Sequence, residues 1–189
     1  MLNKELIYKE YKLEGLLDSR KLYQEKRPNV IFENTIKKTF QKEFNISENE
    51  YNSYVKKFSD IQTIKSKFTK KRKDGFKSIL KFYDWYKEQP QFCAYCYISQ
   101  DELYQLFTRN ENKKLPLNNA IKRSSGTLEI ERKDSNENTY DVDNSILACP
   151  LCNNAKSNLI DEDSWNNLFV PSIRKYYKQL LGKDLKYTK

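Results

Sequence analysis

Residues 128–158 read LEIERKDSNENTYDVDNSILACPLCNNAKSN, and this stretch decides the fold of the chain around it. Its opening alternates: Leu128 and Ile130 fall on one side of an extended chain, and Glu129 and Glu131 on the other, which predicts a strand over residues 127–131. A second strand is predicted over 144–148, reached through the polar loop that follows Lys133. The stretch closes on Cys149-Pro150-Leu151-Cys152, and NNAKSNL is expected to run from the second cysteine directly into a helix.

Outward in the N-terminal direction lies a second Cys-x-x-Cys pair, Cys93 and Cys96, and these two pairs hold every cysteine of the chain. Two-residue spacing lets both thiolates of a pair reach one ion at about 2.3 Å, and two pairs complete a closed tetrahedral shell. Closed four-cysteine shells are structural, so the expectation is Zn2+ bound by Cys93, Cys96, Cys149 and Cys152, adding folding energy to a modest core. Disulfides need an oxidising compartment, and the N-terminus MLNKELIYKEYKLEG lacks the apolar core of a secretory signal. A thioredoxin-like redox pair is disfavoured by the two equivalent pairs and by the lack of a βαβ context.

The chain has no histidine. Zinc must therefore be held by cysteine or carboxylate, and no imidazole can act as a general base.

The ordered features of residues 92–159, about a third of the chain, resemble the HNH nucleases of the ββα-metal superfamily. In that family a strand ends in a metal-binding acid followed by a general-base His. A loop then leads to an Asn-bearing second strand, and a CxxC knuckle opens a helix carrying the second metal ligand. An upstream CxxC commonly closes a four-cysteine zinc. The resemblance implies Glu131 at the metal-binding acid, Asn144 at the Asn that holds the loop, and Asn153 at the helix-borne ligand. A catalytic Mg2+ or Mn2+ would then sit between Glu131 and Asn153. Arg132 occupies the position of the catalytic His, and a guanidinium stays protonated at physiological pH. Three alternatives follow. Tyr140, or after it Lys133, serves as the base; or metal-activated water needs no strong base and Arg132 stabilises the phosphoryl oxygens; or the fold is retained without its chemistry.

The rest of the sequence is read as support for this unit. Lys and Arg number 35 against 26 Asp and Glu, a formal charge of +9 that favours a polyanionic partner. The densest basic run, Lys70, Lys71, Arg72 and Lys73, precedes an apolar helical pattern of Phe76, Ile79, Leu80, Tyr83 and Tyr86, with Asp74 as its expected cap and Pro90 as its end. With Lys133 and Lys156 these residues are the expected nucleic-acid contacts. Helices are also expected over 3–23, within 32–44, from a capping box at Ser47 and Glu50, and from another at Ser99 and Glu102. A loop is expected over 108–126, and a last helix from Pro171 to Leu181 ended by Gly182. Trp85 and Tyr86 are read as core against the zinc domain, while Tyr176 and Tyr177 beside Arg174, Lys175 and Lys178 fit either a channel lining or an amphipathic surface.

The expected fold class is α+β, mostly α: a helical, basic region over 1–88, then an HNH-like ββα-metal domain over 89–189. The expected function is metal-dependent endonuclease action on nucleic acid, DNA ahead of RNA, with a homodimer as one way to cut both strands. The alternative is a catalytically silent zinc-containing nucleic-acid-binding protein. No apolar run approaches the roughly 18 residues needed to cross a membrane, and a cytoplasmic location is expected.

Overall fold

A computed structural model describes residues 4–14, 37–38, 40–42, 44–111, 126–157 and 159–187. The described chain is mostly helical with one two-stranded antiparallel sheet, an α+β architecture dominated by α. It divides into two compact units, Met1–Lys87 and Glu88–Lys189. No described helix is long and apolar enough to cross a membrane.

The first unit contains α1 (Lys4–Glu14), α2 (Glu48–Lys57), α3 (Ile61–Lys67), α4 (Lys70–Phe76) and α5, which spans Ile79–Glu88 and reaches the boundary. Residues 37–38, 40–42 and 44 are also helical. Its core is aromatic: Tyr8 meets the edges of Phe40 and Tyr51 at centroid distances of 5.5 and 5.7 Å. Such T-shaped pairs add about 0.5–1.5 kcal/mol each beyond the area they bury. Ser47 caps α2 by accepting from the Glu50 amide at 3.2 Å. The return half of the capping box is not made, because the Glu50 carboxylate accepts from the Tyr54 hydroxyl at 2.8 Å instead. The expected helix over 3–23 is seen from Lys4 to Glu14, and its remainder lies outside the described residues.

One expectation for this unit is corrected. Asp74 does not cap the apolar helix; it lies inside α4, and the chain breaks at Lys77, whose φ of +65° is left-handed. Ser78 then opens α5 by accepting from the Lys81 amide at 3.2 Å. The break turns Phe76 back onto Phe82 and Trp85, at centroid distances of 5.1 and 5.0 Å. Trp85 and Tyr86 are thus core residues within their own unit.

The second unit is built on the sheet. Strands β1 (Glu129–Arg132) and β2 (Ser145–Ala148) pair in a register that sets Glu129 opposite Ala148 and Glu131 opposite Ile146. Helix α6 (Gln100–Glu111) precedes β1 and is opened by a complete capping box. The Glu102 carboxylate accepts from the Ser99 amide at 2.8 Å, and the Ser99 hydroxyl oxygen accepts from the Glu102 amide at 3.3 Å. The helix continues through Glu111, so residues 108–111 are not the start of a loop; residues 112–125 lie outside the described set. Gln100 fixes the approach to β1, donating to the Gly126 carbonyl and accepting from the Leu128 amide, each at 2.8 Å.

Helix α7 (Pro150–Lys156) follows β2 directly, with Cys149 as its cap and Pro150 at its first position, where a missing N–H costs nothing. A short turn of helix, α8 (Glu162–Ser164), passes through a π-helical turn over Trp165–Phe169 into α9 (Val170–Leu181). Gly182, at φ +70°, ends α9 in the left-handed conformation that favours glycine.

Candidate functional site

The backbone gathers the four cysteines first. In the upstream knuckle the Cys93 amide donates to the Ile98 carbonyl at 2.9 Å and the Tyr97 amide donates back to the Cys93 carbonyl at 3.0 Å. Tyr97 sits at φ +64°, the left-handed turn that lets both thiols face one point. The Ala94 amide donates to the Leu147 carbonyl at 2.9 Å, joining this knuckle to β2, which itself leads into Cys149.

The sulfurs of Cys93, Cys96, Cys149 and Cys152 lie within 4.8 Å of one another, and all four residues are buried. The Cys96 and Cys149 sulfurs are 3.7 Å apart. Sulfurs bound to zinc at about 2.3 Å stand about 3.8 Å apart along each tetrahedral edge, so the cluster fits a metal ion such as zinc. Two donors already address the Cys149 sulfur: the Cys152 amide at 3.3 Å and the Tyr177 hydroxyl at 3.4 Å. Burial pushes the Cys149 thiol well up from its ordinary range. Four thiolates this close and this buried need a cation to hold their charge.

The second cluster lies on the sheet. Glu131 is only 6% exposed, and its Oε2 has no hydrogen-bond partner among the described residues. Burial pushes its carboxyl up to about 8, against the charge of Lys156 and a hydrogen bond from Tyr95. Tyr95, the residue inside the first knuckle, has its own hydroxyl pushed up by burial and then by Glu131. Lys156 is 4% exposed; its Nζ donates to the Lys133 carbonyl at 3.1 Å and lies 5.7 Å from the Tyr95 ring centre. A lysine expected to contact phosphate is therefore a buried brace between α7 and the end of β1.

Glu131 and Asn153, read from the resemblance as the two cation ligands, are not joined by a hydrogen bond. Asn153 donates instead to Glu129 Oε2 at 2.6 Å. Glu129 and Glu131 share one side of the strand, two residues apart, and each feels the other's charge. The acidic side of β1 thus carries three oxygen-bearing groups, Glu129, Glu131 and Asn153. Glu129 was missed in the sequence although the alternation that placed Glu131 places it equally.

Arg132 follows on the opposite side of the strand. Its guanidinium donates to Asn138 Oδ1 at 2.9 Å and to the Glu137 carbonyl at 3.3 Å, and stands 5.4 Å from the Tyr140 ring centre. Arg132 and Tyr140 are therefore brought together. Asn144 makes their loop possible. Its side chain accepts from the Asp134 amide at 2.8 Å and donates to the Asp134 and Thr139 carbonyls, both at 3.1 Å. Its backbone also accepts from the Lys133 amide at 3.0 Å. One buried amide thereby closes the ends of the loop on itself.

Of the remaining expected contacts, Lys70, Lys71 and Lys73 are exposed on α4, while Arg72 turns back to donate to the Lys67 carbonyl. Tyr177 is buried on the cysteine cluster, and Tyr176 is half-buried beside it. Nothing in the sequence around Tyr177 announced its thiol contact, which depends on how α9 packs.

Comparison with protein-family models, with curated proteins and with solved structures finds no match for this chain.

Proposed function

We propose that the second unit is an HNH-like ββα-metal nuclease domain that hydrolyses phosphodiester bonds in nucleic acid, DNA ahead of RNA, around a structural zinc. The observation that carries this reading is the buried Glu131 side chain, whose Oε2 has no partner among the described residues, on the side of β1 that also presents Glu129 to Asn153. An unsatisfied buried carboxylate oxygen costs more than about 1–3 kcal/mol, and a hard divalent cation relieves that cost. The donor set fits Mg2+ or Mn2+: Glu131 and Asn153 would hold the ion, with Glu129 as the neighbouring carboxylate. Such an ion supplies Lewis-acid stabilisation of charge on the phosphate.

The chain's own residues set up the remainder. Asn144 holds the loop that carries Tyr140 and the groups engaging Arg132. Arg132, fixed as a cation, offsets charge developing on the phosphoryl oxygens, which leaves Tyr140 or Lys133 to take the proton from the attacking water. Zinc keeps β2, α7 and the upstream knuckle in register and takes no part in the chemistry.

A second reading has its own support. The charge of Lys156 already acts on Glu131, and Arg132 is engaged by its loop. On that reading Glu131 and Lys156 are a structural pair, and the unit binds nucleic acid without cutting it. Incubation of plasmid and RNA with the protein in Mg2+ or Mn2+ separates the two. Cutting that stops when those ions are withheld supports the nuclease, and retention of nucleic acid without cutting supports the silent module.

A further inference from the structure

A cavity of about 800 Å3 opens in the second unit between α9, the first knuckle and the end of the sheet. Its charged lining is Lys133, Arg174, Lys175 and Lys178 against one acid, Glu162. Arg174, Lys175 and Lys178 stand at i, i+1 and i+4 on α9, a helix whose sequence VPSIRKYYKQLL has no acidic residue. Pro171, at i−3 from Arg174, lines the same wall, so one face of the helix forms it. The Arg174 guanidinium lies 5.4 Å from the Tyr97 ring centre, which directs it across the cavity mouth. Lys178 is held by Asp184 at 2.6 Å, leaving Arg174 and Lys175 as the cations that carry the site.

A second cavity, of about 550 Å3, shares Lys133 and Glu162 with the first and is bordered by Lys156, Asp134 and Asp161, so the excess of cations lies at the α9 end. Ile146, which lines the first cavity, pairs with Glu131 across the sheet, and Lys156, which borders the second, acts on Glu131 by its charge. The two cavities therefore form a groove that begins at the α9 cations and runs past Lys133, the residue that follows β1.

We infer that this groove is a binding site for the phosphodiester backbone of nucleic acid, with Arg174 and Lys175 as its principal phosphate contacts. The inference rests on the nucleic-acid reading above and deepens it. A concave wall in which cations outnumber the single acid concentrates the potential that attracts a polyanion, and two adjacent cations, with Lys178 one turn further on, suit a run of phosphates better than a single anion. The site is distinct from the basic run of α4, which lies in the other unit. It also supplies what the acidic side of β1 lacks, since Glu129 and Glu131 by themselves repel a phosphate.

The test is binding of a labelled oligonucleotide, as duplex and as single strand, to the full chain without added magnesium or manganese. The wild type is compared with Arg174→Glu/Lys175→Glu and with Lys70→Glu/Lys71→Glu. Lys175→Glu alone, at an exposed position, serves if the Arg174 change disturbs Tyr97 and lowers zinc content. The α9 double variant is expected to weaken binding by at least about tenfold and to flatten the dependence of log K on log salt by about two, one unit per lost phosphate contact. Affinity and salt slope equal to wild type in the α9 variants, with binding lost only in the α4 variant, would overturn the groove and leave the nucleic-acid reading standing. A wild type that binds no oligonucleotide, or that binds only anionic phospholipid vesicles, would overturn both.

Discussion

The Tyr177 hydroxyl donates to the Cys149 sulfur at 3.4 Å, so the last long helix is fastened to the cysteine cluster by one hydrogen bond. Cys149 directly follows β2, caps α7 and forms a corner of the cluster. Strand, helix and C-terminal helix therefore meet at one atom.

Tyr177→Phe removes that bond and keeps the ring. The expected loss is about 0.5–1.5 kcal/mol, read as a lowered melting temperature, with faster release of zinc to a chelator. The metal content before chelation should remain one zinc per chain. An unchanged release rate would mean that the hydroxyl does not tune the cluster.

Cys149→Ser removes a ligand and the cap together. Structural zinc sites contribute about 10–16 kcal/mol of apparent binding free energy, more than a unit of this size can spare. The variant should carry less than one zinc by elemental analysis and lose the protease resistance of residues 88–189. A variant with native stability and no zinc would exclude a structural metal.

Asn144→Ala deletes three side-chain hydrogen bonds that close the 133–143 loop. At about 1 kcal/mol each, the destabilisation in urea should be about 2–4 kcal/mol, with amide exchange rising first at Asp134 and Asn136. Asn144→Asp should be no better, because a carboxylate would face the Asp134 and Thr139 carbonyls with no proton to donate. A neutral result for either would remove Asn144 from the account of the loop.

Gly126→Ala probes the entry to β1. Gly126 has φ +68°, and an added Cβ would lie 2.8 Å from the Phe107 Cβ. Backbone strain and the clash together should cost about 1–3 kcal/mol in a denaturant melt. A stability within about 0.5 kcal/mol of wild type would show that α6 gives way at Phe107.

What was legible in the sequence is what short-range chemistry dictates. The paired cysteine spacing announced the cluster, and the alternation from Leu128 to Glu131 announced β1. The Ser99 and Glu102 box and Gly182 marked the start of α6 and the end of α9. What was not legible depends on contacts between distant residues. Asn153 meets Glu129 across 24 residues of chain, where α7 packs on β1. Lys156 is buried because α7 ends against the carbonyl of Lys133. The break at Lys77 follows from the packing of Phe76 on Phe82 and Trp85, which favours a left-handed residue over a continuous helix. The Arg174 wall depends on α9 lying against Tyr97 of the first knuckle, a contact 77 residues apart in the chain.

The central claim is that Glu131 serves a metal-dependent cleavage of nucleic acid, and the most direct measurement is Glu131→Gln assayed for cutting and for binding in the same preparation. Glutamine keeps the shape of the buried side chain and removes its ability to ionise onto a cation. The account predicts that wild type cuts in Mg2+ or Mn2+, and that the variant cuts about 10²–10³-fold more slowly while keeping its zinc and its oligonucleotide affinity. A variant that cuts at the wild-type rate, or a wild type that binds nucleic acid and cuts none of it with any divalent ion, would contradict it.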